Sequence, residues 1–409
     1  MNPCLGLTVY RVGGSIRDEW LGLPIRERDW VVVGTTPEAM RARGFKQVGR
    51  SFPVFLHPES GEEYALARQE KKAGRGHQGF AVDFAPTITL EQDLARRDLT
   101  INAMALDAQG QLIDRHGGVE DLAARRLRHI SAAFGEDPLR VLRVARFRAV
   151  LDPFGFRVDP ATCALMSRLA ASGELQDLSE ERVWQESFKA LQSVAPAEYF
   201  RALDGCGALG ALFPEITALK GKRHEPRHHP EGDAFDHTLW VLERAAWLTT
   251  DPAIRFAALC HDLGKGLTPE AELPRHIGHE ERGVQVVEAL CARLRIPRTI
   301  SRLARMVVGE HMRCHRALEM RPGKVVKLLE RLDALRRPEG LEKVLLACAA
   351  DTRDNPTLGV YPAGEALRLA LRVCLAVDAQ PLLKKGLQGK GLGDALRQER
   401  IRAVKRMWR

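Results

Sequence analysis

The 409-residue sequence has few of the features that mark secreted or membrane proteins. Its eight cysteines include no CxxC pair, which argues against a zinc ribbon and against a disulfide framework. No apolar run approaches the length of a membrane span, and no N-terminal stretch has the form of a signal peptide. We therefore expect a soluble cytoplasmic protein with reduced thiols and no membrane partner.

Two common glycine-rich nucleotide motifs are also missing, because neither a Walker A sequence nor GxGxxG occurs. A P-loop or Rossmann site is therefore not indicated. The length suggests about two to four domains. The 62 Lys and Arg outnumber the 53 Asp and Glu, and the net charge of +9 favours a polyanionic partner, either a nucleic acid or a nucleotide.

The hydrophobic pattern of the first third of the chain predicts an α+β head with a mixed sheet. A strand ends at the pair Gly13–Gly14, a helix follows, and the buried strand DWVVVG begins at Asp29. A hairpin with its turn at residues 58–61 comes next. The polar, glycine-rich stretch 69–79 is predicted to be a mobile loop over an anionic ligand. A Thr89-x-x-Gln92 capping box then starts a helix.

From Glu136 onward the apolar spacing becomes helical and stays so, which predicts an all-α body. A stretch rich in proline and histidine marks a boundary near residue 220. Nine of the 13 histidines fall between residues 224 and 315, so the capacity to bind metals is concentrated there. The predicted domains are a catalytic head (1–134), a helical neck that starts with base recognition (135–220), a histidine-rich helical domain (221–335) and a basic helical tail (336–409).

Two carboxylates, Glu27 and Asp29, stand two residues apart where the buried strand begins, so their side chains point to the same face. Neighbouring carboxylates are costly to bury unless a cation lies between them. A surface ion-pair cluster with Arg26 and Arg28 is one explanation, and a divalent metal is the other. The glycine turn at Gly14 would let a phosphate approach the start of the next helix. Together these features indicate a two-metal nucleotidyl transferase.

Successive motifs of the class II CCA-adding tRNA nucleotidyltransferases resemble three stretches of this sequence: GGSIRDEWLGLPIRERDWVVVG, RRDLTINAMA and EDPLRVLRVARF. The resemblance continues to GLGDALRQERIRAV near the end, so it covers nearly the whole chain. It implies a nucleotidyltransferase head of the polymerase-β-like type. It also implies template-independent addition of C, C and A to the 3′ end of tRNA, from CTP and ATP, with Mg²⁺.

The resemblance further implies a set of nucleotide contacts. Gly14 and Arg17 would hold the triphosphate, and Asp98 would contact the ribose 2′-hydroxyl and so select ribonucleotides. The arginines that would contact the nucleotide are Arg97, Arg143 and Arg146.

One position departs from the family, whose strand pair is usually Asp-x-Asp where this sequence has Glu27-x-Asp29. Glutamate is an adequate Mg²⁺ ligand but reaches about one carbon–carbon bond further than aspartate. We predict a working catalytic site in which Glu27 and Asp29 bind Mg²⁺ after a slight backbone shift. Glu63 is a candidate third carboxylate, and an ordinary surface acid is the alternative there.

The segment EDPLR has two interpretations. Asp137 before Pro138 is a common helix start. In the family, the positions that match Asp137 and Arg140 read the base. A carboxylate that accepts from an amino group, beside an arginine that donates to a ring nitrogen, would suit cytosine and adenine and reject uracil and guanine. Arg140, Arg143 and Arg146 recur every three residues, and a solvated stripe is the default explanation of such a run. Their position just after the base-reading pair makes a phosphate role preferable.

His261 and Asp262 stand together in an apolar helical context, where a structural hydrogen-bonded pair is the ordinary explanation. With His237 earlier and Asp351 later, the pattern H…HD…D resembles the HD metal-dependent phosphohydrolases. The resemblance implies a second metal site at these four residues that hydrolyses phosphomonoesters or 2′,3′-cyclic phosphates. Imidazole and carboxylate together favour Ni²⁺ or another transition metal over Mg²⁺. Further ligands or phosphate contacts would come from His276, His279 and His311, and an RNA-binding scaffold without hydrolysis is the alternative.

Two other functions stay open at this point. A poly(A) polymerase shares the head and neck motifs, but the histidine-rich domain argues against it. A tRNA-binding protein with a transferase site that has decayed at Glu27 is the second. We expect a monomer or a homodimer. The basic C-terminal helix has either a solvated face or a face that contacts RNA, formed by Arg397, Arg400, Arg402, Lys405, Arg406 and Arg409.

Overall fold

A computed structural model gives the fold, and it describes residues 3–25, 27–48, 54–72, 80–224, 232–352 and 360–407. The chain divides into two compact units. The first unit contains residues 1–190 with 198–212, and the second contains residues 191–197 with 213–409. The predicted α+β head followed by an all-α body is confirmed. The finer division into four domains, with boundaries after residues 134, 220 and 335, stays a prediction.

All the strands found in the described part of the chain lie in the first unit. They are β1 (Thr8–Val12), β2 (Asp29–Val33), β3 (Lys46–Gln47), β4 (Val54–Leu56), β5 (Glu63–Leu66), β6 (Gln69–Lys72), β7 (Phe80–Asp83), β8 (Met104–Leu106), β9 (Leu112–Asp114), β10 (Arg126–Leu127) and β11 (Arg157–Val158). Seven of them form one sheet in the order β3-β4-β5-β2-β1-β8-β9. It is a mixed sheet, because β2 runs parallel to β5 and antiparallel to β1.

The helices of the first part of the chain are α1 (Gly14–Trp20), α2 (Pro37–Ala42), α3 (Leu90–Ala95), α4 (Gly118–Ala123), α5 (Leu139–Leu151), α6 (Pro160–Ala171), α7 (Glu180–Leu191), α8 (Ala197–Gly205) and α9 (Leu209–Leu212). The capping box predicted for α3 is present, since Thr89 accepts from the backbone of Gln92 and Gln92 accepts from the backbone of Thr89. The Thr89–Gln92 signal therefore marked the start of this helix correctly.

Strand β2 is the centre of the head because it is buried on both faces. Val31 packs into a cluster with Val12 and Leu94, and Val32 packs into another with Met40 and Phe55. Successive strand residues point to opposite faces, so a run of valines suits a strand that is covered on both sides. The rigid position of β2 fixes the acids at its start.

The polar stretch predicted as a mobile loop is in part a strand, so that prediction is wrong at its start. Gln69–Lys72 forms β6 and pairs in antiparallel register with β7, Phe80–Asp83. Backbone hydrogen bonds between the two strands outweigh the low strand preference of these polar residues. The rest of the predicted loop, residues 73–79, lies outside the described residues.

The second unit is helical. Its helices are α10 (Pro214–Thr217), α11 (Ala234–Leu248), α12 (Pro252–Cys260), α13 (His279–Arg293), α14 (Arg298–His315), α15 (Pro322–Arg331), α16 (Pro338–Ala350), α17 (Pro362–Leu375), α18 (Gln380–Lys384) and α19 (Gly389–Met407). Helices α11, α12, α14 and α16 pack against one another and form its core. No helix of the described chain is long and apolar enough to cross a membrane.

The basic tail helix α19 packs against α15 and α17. Arg397 pairs with Glu330 at 3.1 Å, and Arg400 donates to the carbonyl of Cys374 at 3.3 Å. Arg402 pairs with Glu399 on the same helix. Part of the basic stripe therefore serves the packing of the tail. Arg409 lies outside the described residues.

Candidate nucleotide site and metal centre

The turn between β1 and α1 requires glycine at its first position. Gly13 has φ of +78°, in the left-handed region that favours glycine, and a Cβ atom there would lie 2.9 Å from Arg97 Nη1. Gly14, the residue named from the family motif, is the first residue of α1, and a Cβ there would lie 3.2 Å from Arg17 Nη2. The Gly-Gly turn thus leaves room for two guanidinium groups.

The acids at the start of β2 lie beside a third carboxylate. Asp29 is paired in register with Glu63 on the parallel strand β5, so both side chains project from the same face. Arg28 pairs with Glu62 at 3.6 Å, and no described residue forms an ion pair with Glu27 or Asp29. The surface ion-pair cluster expected with Arg28 is thus not what the described residues show, and Arg26 lies outside them.

The electrostatics of Asp29 suit a cation. Partial burial raises the pKa of Asp29 above its ordinary value, and Glu27 raises this pKa further, although Arg97 lowers it. A divalent cation beside Asp29 and Glu27 would offset both the burial of the Asp29 carboxylate and its repulsion from Glu27. The carboxylate donors and the lack of a described ion-pair partner therefore fit Mg²⁺.

A chain of buried hydrogen bonds joins the predicted triphosphate and ribose residues. Arg17 Nη1 donates to Asn102 Oδ1 at 2.6 Å, and Asn102 Nδ2 donates to Asp98 Oδ1 at 3.1 Å. Asp98 Oδ2 accepts from Arg143 Nε at 2.8 Å. The structure thus brings Arg17 of α1, Asp98 and Arg143 of α5 into one network, with Asn102 as the link that the sequence did not reveal.

Asp98 is buried and ionised. Burial alone would raise its pKa, but Arg143 and the hydrogen bond from Asn102 bring the pKa of Asp98 well below its ordinary value. The Leu99 amide also donates to Oδ1, at 2.8 Å. A carboxylate has about four lone-pair sites, so the three hydrogen bonds leave one site on Oδ2 for a ribose hydroxyl.

Three of the arginines that were predicted to contact the nucleotide lie around the ring of Phe147. The guanidinium carbons of Arg17, Arg143 and Arg146 lie 5.0, 6.0 and 4.2 Å from the ring centroid. Arg146 Nε also donates to Glu186 Oε2 at 2.6 Å. The run of arginines on α5 is therefore a set of partly buried, paired guanidinium groups, and the solvated stripe that such spacing usually indicates is not what forms here.

The predicted base-reading pair is firmly held. Asp137 Oδ1 accepts from the Leu139 amide at 3.0 Å, as a helix start requires, and Oδ2 accepts from Arg182 at 2.9 Å. Arg140 is buried and donates from Nη1 to the carbonyl of Ala133 and from Nη2 to that of residue 96, both at 2.5 Å. Both side chains therefore have fixed orientations.

Asp93 on α3 organises two arginines that follow it. Its buried carboxylate pairs with Arg96 at 2.7 Å and with Arg97 at 3.2 Å. Burial would raise the pKa of Asp93, but Arg97 and Arg96 lower that pKa below its ordinary value. The position of Arg97, which the family motif assigns to the nucleotide, is thus set from within α3.

Six side chains of the second unit form two groups of three potential metal ligands, each with its ligand atoms within 4.8 Å of one another. The first ligand group is His237, His261 and Asp351, and the second ligand group is Asp262, His279 and His311. The four residues named from the HD pattern are thus brought together, and two of the three additional histidines join them. The acids of the head form no third group of this kind in the described chain.

Helices of the second unit position all six ligands. His237 and His311 lie within helices, and the others lie where α12 and α16 end and where α13 begins. Gly264 allows the approach of α13, because a Cβ there would lie 1.9 Å from the carbonyl oxygen of His279. Any larger residue at 264 would therefore push the second ligand group apart.

The spacing within the first ligand group is that of ligands around one ion. His237 Nε2 lies 3.2 Å from His261 Nε2 and 3.0 Å from Asp351 Oδ1, and His261 Nε2 lies 3.6 Å from the same oxygen. Neighbouring atoms bound to a metal at about 2.0–2.1 Å lie about 2.8–3.4 Å apart in octahedral or tetrahedral geometry. Two of the three distances lie in this range, and the third, 3.6 Å, lies slightly above it. The first ligand group therefore fits a transition metal.

The second ligand group has similar spacing and shares a border with the first. His279 Nε2 lies 3.3 Å from both His311 Nε2 and Asp262 Oδ1. The other oxygen of Asp262 lies 3.1 Å from His261 Nε2 and 2.5 Å from Lys265 Nζ. The Asp262 carboxylate thus faces both groups, one oxygen to each.

The protonation state of three histidines supports metal binding. Each Nδ1 atom of His261, His279 and His311 lies beside a backbone carbonyl, that of Ala258, His276 and Val308 at 2.8, 2.8 and 3.0 Å. The proton of a neutral ring must then be on Nδ1, so Nε2 presents a lone pair. Lone pairs of nitrogen therefore face one another and the carboxylates, an arrangement that a cation among them would stabilise.

The buried carboxylates are ionised. Burial would raise the pKa of Asp262, but His261, when its ring is positively charged, and Lys265 bring that pKa well below its ordinary value. Burial would likewise raise the pKa of Asp351, and a positively charged His261, with the hydrogen bond from His237, brings that pKa down. A metal ion bound among neutral rings would supply this positive charge in place of the ring protons.

His276, proposed from the sequence as a further ligand or phosphate contact, lies outside both ligand groups. Its Nδ1 lies 2.9 Å from Thr268 Oγ1 and its Nε2 lies 3.1 Å from the carbonyl of Arg223. Burial lowers the pKa of His276 to about 4. This ring therefore holds two loops together as a neutral hydrogen-bonded group.

Several residues of these sites carry no sequence signal of their own. They are Asn102, Phe147, Arg182, Glu186 and Lys265. Asn102 lies inside the motif RRDLTINAMA, and Lys265 follows the HD pair by three residues, so closeness to a motif is the signal that marks these two. Arg182 is 45 positions from its partner, and only the fold brings the two together.

Three known domain families match successive parts of the chain. Residues 9–128 match the Poly A polymerase head domain, residues 155–220 match the probable RNA and SrmB-binding site of polymerase A, and residues 234–355 match the HD domain. The HD match extends through Asp351, whereas the predicted domain ended at residue 335.

Relatives match over the full length. The multifunctional CCA protein of Methylococcus capsulatus is 55% identical over 404 residues, which cover 98% of this chain and 95% of that protein. The apo form II structure of a CCA-adding enzyme has a TM-score of 0.68 at 21% identity, over 98% of this chain and 88% of that chain. The Thermotoga maritima CCA-adding enzyme complexed with tRNA has a TM-score of 0.64 at 21% identity, over 98% and 89%. This chain belongs to the multifunctional CCA protein family.

Proposed function

We propose that this protein adds C, C and A to the 3′ end of tRNA from CTP and ATP, and that its second unit is a metal-dependent phosphohydrolase. The observation that carries the proposal is the full-length identity of 55% to a multifunctional CCA protein. Both domain families imply dependence on divalent metals. The choice of Mg²⁺ for the head and of a transition metal for the HD site is part of the proposal.

In the proposed transfer, the 3′-hydroxyl of the tRNA attacks the α-phosphate of a bound nucleotide and pyrophosphate leaves. Glu27 and Asp29 would hold Mg²⁺, which lowers the pKa of the attacking hydroxyl and neutralises the leaving group. The glycine turn at Gly14 lets the backbone approach the phosphates, and Arg17 and Arg97 supply positive charge beside it.

Selection among nucleotides would use groups that are already oriented. Asp98 would accept from the ribose 2′-hydroxyl at its remaining lone pair. Asp137 would accept from the amino group of cytosine or adenine, and Arg140 would donate to the ring nitrogen. Arg143 and Arg146 would contact the nucleotide beside them.

In the proposed HD site the two ligand groups would hold a pair of metal ions, Ni²⁺ or another transition metal, which supply Lewis acidity toward a phosphate ester. Asp262 would bridge the two groups, since each of its oxygens faces one of them. Lys265, buried beside Asp262, holds positive charge at the site where a phosphate oxygen would bind. The substrates proposed are phosphomonoesters and 2′,3′-cyclic phosphates.

The transferase is tested by supplying each labelled nucleotide, with Mg²⁺, to tRNA that lacks its 3′ CCA. We expect two C and one A to be added in order and the reaction then to stop. A long A tract would identify a poly(A) polymerase. No addition by a protein that still binds tRNA would mean that the head has lost catalysis.

The phosphohydrolase is tested with a 2′,3′-cyclic nucleotide after addition of Ni²⁺. We expect hydrolysis that is lost on chelation and in the His261→Ala and Asp262→Ala variants, while nucleotide addition by the same variants is retained. Hydrolysis that persists in both variants would exclude the proposed site. The cytoplasmic location, the oligomeric state and the boundaries of the four domains stay predictions.

A further inference from the structure

The second histidine of α14, His315, contacts the first ligand group without belonging to it. His315 Nε2 lies 2.9 Å from Asp351 Oδ2, while the other oxygen of Asp351 lies 3.0 Å from His237 Nε2. His315 Nδ1 lies 3.1 Å from the hydroxyl of Tyr361, which is buried. Asp351 is thus held between a candidate metal ligand on one side and the His315–Tyr361 pair on the other.

The hydrogen bonds of His315 define its protonation. An ionised Asp351 can only accept, so His315 Nε2 must carry the proton that it donates. The Nδ1 atom of a neutral ring then has a lone pair, which accepts from the Tyr361 hydroxyl. This is the opposite tautomer to that of His261, His279 and His311, so Nε2 of His315 has no lone pair for a metal.

The helix itself gives His315 this position. His311 and His315 are four residues apart on α14, so their side chains lie on the same face, one turn apart. His311 belongs to the second ligand group, whereas His315 contacts a member of the first. Helix α14 packs against α12, α13 and α16, which carry or adjoin the other ligands. A single rigid helix therefore serves both groups.

We propose that His315 is a positioning residue for the first ligand group, and that Tyr361 orients the His315 ring. By donating to Oδ2, His315 turns Oδ1 of Asp351 toward His237 and His261. Without this hydrogen bond the carboxylate would rotate about its Cβ–Cγ bond, and the first ligand group would have to be reassembled on binding. Loss of such a supporting contact typically weakens metal affinity by about 10- to 100-fold. The proposal rests on the proposed metal site.

The test is a titration of the full-length chain with Co²⁺, followed by its visible absorption bands. Glu27→Gln and Asp29→Asn are introduced in every sample, so that the acids of the head do not contribute. The parent is compared with His315→Ala, His315→Gln and Tyr361→Phe. His276→Ala is the matched control, because the His276 ring is hydrogen-bonded to Thr268 and Arg223. The contact of His276 with His279 of the second ligand group is made by its backbone carbonyl, which the substitution keeps.

We expect two Co²⁺ sites in the parent and in the control. In His315→Ala, one site should weaken by about 10- to 100-fold and change its absorption, while the other keeps its affinity and so shows that the unit is folded. His315→Gln has an amide that can donate to Asp351 and should recover most of the loss. Tyr361→Phe should have a smaller effect in the same direction.

Unchanged affinity and absorption in His315→Ala would overturn the positioning role. If His315→Ala loses both sites through misfolding, Tyr361→Phe decides, and parent-like binding there would overturn the inference. A parent that binds no Co²⁺ would overturn the metal site itself, which is a separate failure of the proposed function. Equal weakening in His276→Ala would show that the effect is not specific to the contact with Asp351.

Discussion

The guanidinium of Arg182 lies 2.9 Å from one carboxylate oxygen of Asp137, while the other oxygen accepts from the backbone of Leu139. Helix start and base recognition, which compete as interpretations of EDPLR, are therefore compatible in one side chain. The helix bond fixes one oxygen and Arg182 fixes the plane of the carboxylate. An acceptor with a defined direction is what discrimination between amino and carbonyl edges of a base requires.

Replacement of Arg182 by Met should impair nucleotide choice more than overall folding. Asp137 would lose a charge-assisted hydrogen bond worth about 1.5–3 kcal/mol and its carboxylate would turn more freely. We expect kcat/KM for CTP and ATP to fall by about 10- to 100-fold and the relative incorporation of UTP to rise. Single-nucleotide incorporation into tRNA ending before and within CCA measures both quantities.

The control for this prediction is Arg201→Met, which breaks an exposed ion pair with Glu198 in the same unit. Exposed pairs contribute about 0–1 kcal/mol, so this variant should keep near-normal activity and specificity. Identical selectivity in wild type and Arg182→Met would show that Arg182 has no part in base recognition.

The case of Arg182 also shows what the sequence can and cannot reveal. Local patterns predicted β1, the glycine turn, β2 with its acids, the start of α3 and the helical body, because each depends on neighbours within a few positions. The HD ligands were predicted because the pattern H…HD…D resembles that of the HD phosphohydrolases. Arg182 and His315 act on residues far away in the chain, and no local pattern marks such partners.

The fold also determines whether the arginines on α5 are exposed to solvent or paired and partly buried. A spacing of three residues predicts a broad exposed stripe when the helix is considered alone. In the structure, Asp98, Glu186 and Phe147 meet that face, so the arginines become paired and partly buried. The spacing alone therefore does not show whether a helix surface faces solvent, because that depends on its neighbours in the fold.

Glu27 is the position where the motif is expected to depart from the aspartate usual in the family, and its role is directly testable. Glu27→Gln keeps the size of the side chain but removes the charge that Mg²⁺ requires. We expect nucleotide addition to fall by at least about 100-fold, as befits loss of a metal ligand in a site that depends on the ion for charge stabilisation. Glu27→Asp should retain activity, since aspartate is the usual family residue.

Glu38→Gln is the matched control for Glu27, because Glu38 is an exposed acid of the same unit on α2. Its activity should equal that of the wild type at all Mg²⁺ concentrations. Full activity in Glu27→Gln would refute the assignment of this residue as a ligand and would leave Asp29 and Glu63 as the acids to be tested.

The side-chain amide of Asn102 is hydrogen-bonded both to Arg17, the proposed triphosphate contact, and to Asp98, the proposed ribose contact. The carbonyl end accepts from the guanidinium and the amino end donates to the carboxylate. In Asn102→Asp, the second contact would become a repulsion between carboxylates. We expect discrimination between ATP and dATP, measured as the ratio of their kcat/KM values, to fall by about 10-fold, since an unsatisfied buried group costs about 1–3 kcal/mol.

Asn102→Leu removes both hydrogen bonds of the Asn102 amide but keeps a side chain of similar size. It should lower discrimination against dATP and also raise the KM for ATP, because Arg17 loses its partner as well. A ratio for ATP and dATP that is the same in both variants and in the wild type would contradict a role of Asn102 in sugar selection.

The ion pair of Asp98 and Arg143 should make the stability of the head depend on acid. Burial raises the pKa of Asp98, but Arg143 together with the hydrogen bonds from Asn102 and the Leu99 amide outweighs burial, so in the folded state this pKa lies below the ordinary 3.8. As the pH falls below about 3.8, the unfolded chain takes up the proton first, and the stabilisation is lost progressively. Above that value both states are ionised and the contribution is complete.

Urea unfolding of wild type and Asp98→Asn between pH 7 and pH 3 measures this contribution. The difference in free energy of unfolding should be largest from pH 5 upward, where breaking a buried pair costs about 3–5 kcal/mol, and should shrink toward pH 3. Arg143→Met removes the cause of the lowered pKa, so its stability should depend less on acid than that of the wild type. A difference between wild type and Asp98→Asn that stays constant from pH 7 to pH 3 would mean that Asp98 is not held ionised by Arg143 in the folded protein.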